Sequence, residues 1–173
     1  MEGKTSLNPI KLTRLAVLIF WAVAFQLTAQ IIPGIGHFLS MLSSLPIIVA
    51  AYLGPTPGGI AYLTSGLLIF FLNPAAAPVF WLATGLLGLT LGLGYYYEWN
   101  DLHLIIYSVL VLSGGLYLLA AIFNLPLWGG IAVKSGPIIK FSLILPFSLA
   151  YAALWRLVFP IVKRVYKLLI NSN

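Results

Sequence analysis

Six long runs of hydrophobic residues fill this chain, separated by short polar or Gly/Pro-rich turns. Between Leu15 and Val133 the only formally charged side chains are Glu98 and Asp101. A charge at the centre of a bilayer costs about 2.5–3.5 kcal/mol, so this depletion is typical of helices that cross a membrane. The pattern predicts an all-α, polytopic integral membrane protein with six transmembrane helices. The runs lie at residues 15–32, 38–53, 56–72, 79–97, 102–123 and 138–162.

The second and third runs leave an alternative open, because both are short and a sharp Gly/Pro turn separates them. A re-entrant helical hairpin over 38–72 gives four spans plus a hairpin and returns the chain to the same side. Either way, we expect a single transmembrane domain over 15–162. A cytoplasmic N-terminal segment, 1–14, precedes it, and a cytoplasmic basic tail, 163–173, follows.

Composition narrows the function classes. The 173 residues are 61% hydrophobic and 7% charged, so no room is expected for a soluble ATPase or nucleic-acid-binding domain. With the N-terminus inside, seven Lys and Arg fall on the inner side and two on the outer side, which together make the total of nine. This bias predicts cytoplasmic termini and explains the net charge of +6 without nucleic acid. Cysteine is absent, which excludes thiolate chemistry.

The turn at 98–103 holds the other ionisable candidates. Glu98, Asp101 and His103 offer enough oxygen and nitrogen for a weak metal site. The favoured interpretation is a solvated turn in which Asn100 or Asp101 caps the next helix. His37 is predicted on the opposite side, so no catalytic triad forms. We therefore expect that the protein is not an enzyme and that it has no catalytic residues, no cofactor and no bound metal.

Polar and aromatic residues on the predicted outer side suggest a small pocket with aromatic walls. Two glutamines lie one helical turn apart within a span, where lipid offers no hydrogen bonds. A lysine just inside the sixth span is costly unless it snorkels or meets an anion. The candidate ligand-binding residues are Gln26, Gln30, His37, Trp81, Asn124, Trp128, Lys134 and Lys140.

Small residues on the first helix allow another helix to approach closely. The candidate partner-docking residues are Ala22, Ala24, Thr28 and Ala29. Packing inside the chain is an equally good interpretation of this set. For the row Gly85, Gly88 and Gly92, internal packing is favoured.

The run from Leu45 to Gly59, LPIIVAAYLGPTPGG, resembles a helix junction in a transporter family. Its Leu-Gly-Pro-x-x-Gly turn at 53–58 is similar to that of S components, the substrate-binding membrane subunits of energy-coupling factor vitamin transporters. Chain length, span number and basic termini are also similar.

The resemblance implies a prokaryotic cell-membrane protein that captures a vitamin or similar micronutrient outside. It implies a separate transmembrane coupling protein and two ATPase subunits as partners. The family docks through Ala-x-x-x-Ala on its first helix; here Ala24 is followed by Thr28 in the second position. By location alone, the resemblance places His37, Trp81, Asn124 and Lys140 at the ligand.

A rival interpretation is a membrane scaffold. The small membrane subunit of the bacterial rod-shape, or cell-wall elongation, machinery is similar in size and span number. It also has a Gly-Pro-x-x-Gly-like turn. A scaffold needs no pocket, so its intramembrane polar residues should tolerate apolar replacement.

Overall fold

The computed structural model describes residues 9–32, 35–122 and 136–171, and within 137–140 and 161–171 it describes the backbone alone. Every regular element in these ranges is helical. The elements are α1 (Pro9–Ile31), α2 (Ile35–Met41), α3 (Ser44–Tyr52), α4 (Pro55–Leu72), α5 (Ala77–Tyr96), α6 (Asp101–Ile122) and α7 (Pro137–Asn171).

The described residues contain six segments long and apolar enough to cross a membrane, with α2 and α3 forming one of them. The chain is therefore an all-α, multi-pass membrane protein, as the hydrophobic pattern predicts. The segments Ile35–Tyr52 and Pro55–Leu72 have 18 residues each. The continuous helix Pro55–Leu72 is about 27 Å long, close to the roughly 30 Å hydrocarbon core, and Ile35–Tyr52 has the same number of residues. Both members of the alternative hairpin thus reach the length of a span.

A proline explains the break between α2 and α3. The ring of Pro46 clashes with the carbonyl four residues earlier, which belongs to Leu42, and Pro46 has no N–H to donate. The chain instead forms a turn at Leu42 and Ser43, where the Leu45 N–H donates to the Leu42 carbonyl at 2.9 Å. α3 then starts at Ser44, with Ser43 preceding it.

Gly54 makes the sharp turn between α3 and α4. Its φ of 144° lies in a region that side-chain-bearing residues rarely adopt, so glycine is required here. Pro55 follows as the first residue of α4, where its missing N–H costs nothing. The Gly-Pro turn is therefore explained by backbone geometry alone, without reference to a particular protein family.

The chain divides into two compact units, 1–99 and 100–173. In the first unit α3 packs on α5 and α4, and α1 packs on α2, α3 and α4. The internal-packing interpretation of the glycine row is confirmed for two members. A Cβ on Gly88 would lie 2.7 Å from the Ser44 carbonyl oxygen, and a Cβ on Gly92 would lie 2.5 Å from the Ala51 Cβ. In the second unit α6 packs on α7.

Two helix ends differ from the predicted span ends. α1 begins at Pro9 instead of Leu15, and α7 continues to Asn171 instead of ending near Val162. Apolar length sets the predicted span, whereas helix length depends on backbone hydrogen bonds and helix propensity. Lys and Arg are good helix formers, so helices continue through the flanking basic segments.

Candidate functional site

A buried amide ties three segments of the first unit together. Gln26 on α1 is 3% exposed, and its Oε1 accepts two hydrogen bonds. The Ser43 hydroxyl donates one at 2.8 Å, and the Thr84 hydroxyl donates the other at 3.0 Å. Gln26, Ser43 and Thr84 form what we call the polar triad. Ser43 is 17 residues and Thr84 is 58 residues from Gln26 in sequence, so the triad exists only in the folded unit.

Two members of the polar triad lie at helix irregularities. Ser43 sits in the turn that separates α2 from α3. Thr84 is the last residue of a π-helical turn, Phe80–Thr84, inside α5. Non-helical backbone at membrane depth is tolerated where it is buried in protein, and π-helical turns frequently mark functional sites. The triad thus combines a buried polar cluster with two features that are rare in ordinary spans.

The triad lies at a similar depth on each of its segments. Gln26 precedes the end of α1 by five residues, Ser43 follows the start of α2 by eight, and Thr84 follows the start of α5 by seven. These offsets correspond to about 8, 12 and 10 Å along a helix. The triad is therefore below the end of the unit that carries the end of α1, the start of α2 and the 73–76 turn, inside the apolar layer.

Trp81 lies on the same π-helical turn and is held by contacts with α4. Its carbonyl accepts a hydrogen bond from the Tyr62 hydroxyl at 2.8 Å. Its indole stacks on Phe70, with ring centroids 6.1 Å apart, and lies directly against Gly66. A Cβ on Gly66 would overlap the indole nitrogen. The side chain of Trp81 remains partly exposed.

The structure separates the other predicted ligand-binding residues. Gln30 and His37 are exposed, so Gln30 does not join Gln26 although the two lie one turn apart. Lys140 lies in α7, in the part where only the backbone is described. The remaining predictions fall outside the described residues, namely Asn124, Trp128 and Lys134.

The predicted docking residues are partly used inside the unit. Ala22 is fully buried. Gly36 packs directly against the backbone of Thr28 and Ala29, and the Thr28 hydroxyl reaches the Gly36 carbonyl at 3.1 Å. Ala24 keeps partial exposure. The internal-packing interpretation therefore holds for much of this set, and docking stays a prediction.

Sequence reasoning did not include Ser43 and Thr84 among the candidates. Serine and threonine are common in membrane helices, where they bond to their own backbone, as Ser113 does to the Val109 carbonyl at 2.6 Å. A usable signal for Ser43 was Pro46, three residues later, which breaks the helix. No sequence signal marks the π-helical turn that places Thr84.

The turn before α6 is a helix cap. The Asn100 Oδ1 accepts from the His103 backbone N–H at 2.9 Å and lies 2.6 Å from the His103 Nδ1. Asp101 pairs with Arg156 of α7. The capped-turn interpretation is thereby confirmed. Among the residues that the structure describes, no three His, Asp or Glu side chains come together as metal ligands.

These features define an all-α, multi-pass membrane protein with a buried neutral polar cluster in its first unit. Comparisons with protein-family models, with curated proteins and with solved structures find no match for this chain. Amide and hydroxyl groups such as those of the triad donate and accept hydrogen bonds without carrying charge. The arrangement therefore suits the binding or positioning of polar groups.

Proposed function

We propose that this chain is the substrate-binding membrane subunit of an ATP-driven uptake transporter, similar to the S components of energy-coupling factor transporters. It captures a vitamin or similar micronutrient outside and is not an enzyme. The polar triad is the observation that carries the proposal. Small-molecule sites combine aromatic side chains with a few correctly positioned polar groups, and the partly exposed Trp81 and the triad are groups of these two kinds.

The distribution of basic residues supports the orientation. With both termini in the cytoplasm of a prokaryotic cell, the triad and Trp81 lie in the outer half of the membrane. His37 and Gln30 are then exposed near the outer surface, where a ligand arrives. Capture outside and release inside need an energy source, which separate partner chains supply: a transmembrane coupling protein and two ATPases.

The first helix is the surface proposed for the coupling protein. Ala24 is partly exposed beside the aromatic residues Trp21 and Phe25, whose rings are stacked with centroids 5.5 Å apart. Trp21 is 48% exposed and lies seven residues beyond Arg14, about 10 Å into the membrane. Tryptophan prefers the membrane interface, so an exposed tryptophan at this depth favours contact with another helix.

The ligand-binding proposal is tested with a matched pair of histidine variants. The purified protein is titrated with a panel of vitamins, and binding is read as a shift in melting temperature. We expect one compound to raise the Tm, and His37→Ala to weaken its binding. His103→Ala, at the predicted inner side, is the control because His103 is also exposed. Equal binding by both variants would argue against an outer site at His37.

A scaffold of the bacterial cell-wall elongation machinery is the second candidate. The observation in its favour is that Ser43 and Thr84 both donate to the Gln26 amide, so the triad is satisfied within the chain. A scaffold needs such internal ties and no ligand. It predicts that no vitamin shifts the Tm and that Gln30→Leu and His37→Ala leave partner binding intact.

A further inference from the structure

The π-helical turn of α5 changes how that helix is hydrogen-bonded. The Gly85 N–H donates to the Phe80 carbonyl, five residues back. From Gly85 onward the α-helix resumes and its N–H groups donate four residues back, so the Leu86 N–H reaches Leu82. The Trp81 carbonyl lies between these two acceptors and is passed over. The turn therefore leaves one backbone carbonyl without a donor from its own helix.

Tyr62 on α4 supplies the missing donor. Its hydroxyl donates to the Trp81 carbonyl at 2.8 Å, a normal length for a hydrogen bond between two oxygens. The Tyr62 ring also stacks on Phe80, the first residue of the turn, with ring centroids 6.0 Å apart. A carbonyl without a partner is costly in an apolar layer, because lipid offers no donor. The Tyr62 hydroxyl therefore favours the π-helical turn over a regular α-helix.

The π-helical turn also decides what the residues at its two ends can contact. Trp81 lies against Gly66 and Phe70 of α4. The Thr84 hydroxyl reaches Gln26 on α1 at 3.0 Å. Converting the turn to α-helix would rotate the part of α5 before it by about 100° relative to the part after it, which is the rotation of one residue. Either Trp81 or Thr84 would then lose its contacts.

We infer that Tyr62 is a positioning residue of the candidate site. Its hydroxyl holds the π-helical turn, and the turn lets Trp81 contact α4 while Thr84 completes the polar triad on α1. α4 thereby sets the geometry of the triad, although the two hydrogen bonds of the triad come from Ser43 and Thr84. The inference concerns how the site is assembled and does not rest on the proposed transport function.

Thermal unfolding of Tyr62→Phe in detergent is the first test, because this change removes the hydroxyl and keeps the ring. We expect the Tm to fall by about 2–4 °C, which corresponds to one hydrogen bond in a chain of this size. Tyr117→Phe is the control, since it removes a hydroxyl at a 40% exposed position in the second unit, and its Tm should not change. A Tyr62→Phe protein as stable as the wild type would overturn the inference.

A double-mutant cycle tests whether the effect passes through the turn to the triad. The hydroxyls of Tyr62 and Thr84 bond to different groups, so two purely local effects would add. If the turn relaxes in Tyr62→Phe, Thr84 has already left Gln26, and adding Thr84→Val should lower the Tm little further. Additive losses of Tm would contradict the inference.

Thr90→Val is the matched control for this cycle on the same helix. The Thr90 hydroxyl donates to the Leu86 carbonyl within α5, so its loss should add in full to that of Tyr62→Phe. Equal coupling of Thr84→Val and Thr90→Val to Tyr62→Phe would mean that α5 loosens as a whole, and the inference would fail.

The side-chain amide of Gln26 reports directly on whether Thr84 is in place. The chain has two glutamines, Gln26 and Gln30, so 15N-glutamine labelling gives two side-chain amide groups to observe, and Gln26→Leu assigns them. We expect Tyr62→Phe to move the Gln26 signal in the same direction as Thr84→Val does, with the signal of the exposed Gln30 unchanged. A Gln26 signal at its wild-type position, or equal shifts of both signals, would refute a positioning role for Tyr62.

Discussion

Replacing Gln26 by leucine is the sharpest test of the polar triad. Leucine is of similar size and apolar, so the change removes one acceptor while keeping the packing nearly filled. The hydroxyls of Ser43 and Thr84 both lose their acceptor in a buried place. Each neutral hydrogen bond contributes about 1 kcal/mol, with values in membrane helices near 0.6. We therefore expect a loss of about 1–2 kcal/mol.

Thermal unfolding in detergent measures this loss. For a chain of this size, about 1 kcal/mol corresponds to 2–4 °C in Tm, so Gln26→Leu should lower the Tm by about 2–8 °C. Gln30→Leu is the control, because it makes the same substitution one turn away at an exposed position. In protein freed of bound small molecules, we expect no loss of Tm in the control, since leucine is at least as compatible with lipid as glutamine.

A triple variant shows whether the loss comes from the two stranded hydroxyls. Adding Ser43→Ala and Thr84→Val to Gln26→Leu replaces every partner by an apolar group, which is nearly neutral when both sides of a hydrogen bond are removed. The triple variant should recover most of the Tm. A Gln26→Leu protein as stable as the wild type, or a triple variant less stable than the single one, would refute the reasoning.

Three further predictions follow from single residues. Gly92→Ala should cost about 1–3 kcal/mol by overpacking the α3–α5 contact, whereas Gly114→Ala, with no atom within 4 Å of the added Cβ, should not lower stability; urea unfolding of the two variants compares them. Glu98→Gly should raise stability by about 1 kcal/mol, because Glu98 has a φ of 54° in the left-handed position after α5, and a lower melting temperature would contradict this. Gly66→Ala should displace the indole of Trp81 and so change the tryptophan emission spectrum, and the same substitution should cause no such change in a Trp81→Phe background. An unchanged spectrum in Gly66→Ala would show that the indole is not seated on Gly66.

Hydrophobic pattern alone predicted the class of fold because a bilayer admits so few solutions. The cost of charge in lipid leaves long apolar runs, and each run here coincides with a helical segment that is long enough to span, the second being made of α2 and α3 together. The same pattern could not predict where α1 and α7 end. Outside the lipid, Lys11 or Lys163 costs nothing in a helix, so hydropathy carries no information about these ends.

The candidate site was predictable only in part. The sequence singled out Gln26 as a polar side chain where lipid offers no partner, and the structure supplies its partners from the chain itself. Periodicity placed Gln26 and Gln30 on one face, yet one is buried and the other exposed, because they are about 40° apart at the edge of a packed surface. Ser43 depends on the helix break at Pro46, which the sequence contains but does not connect with Gln26. Thr84 depends on a π-helical turn that no sequence signal marks.

Native mass spectrometry of the detergent-purified protein tests the central proposal most directly. Small molecules released by denaturation are identified in a separate measurement on the same sample. A substrate-binding subunit should carry a vitamin-like molecule at one copy per chain, and Gln30→Leu with His37→Ala should reduce its occupancy. A protein free of any small molecule, with a Tm that no vitamin shifts, would contradict the account and favour the scaffold.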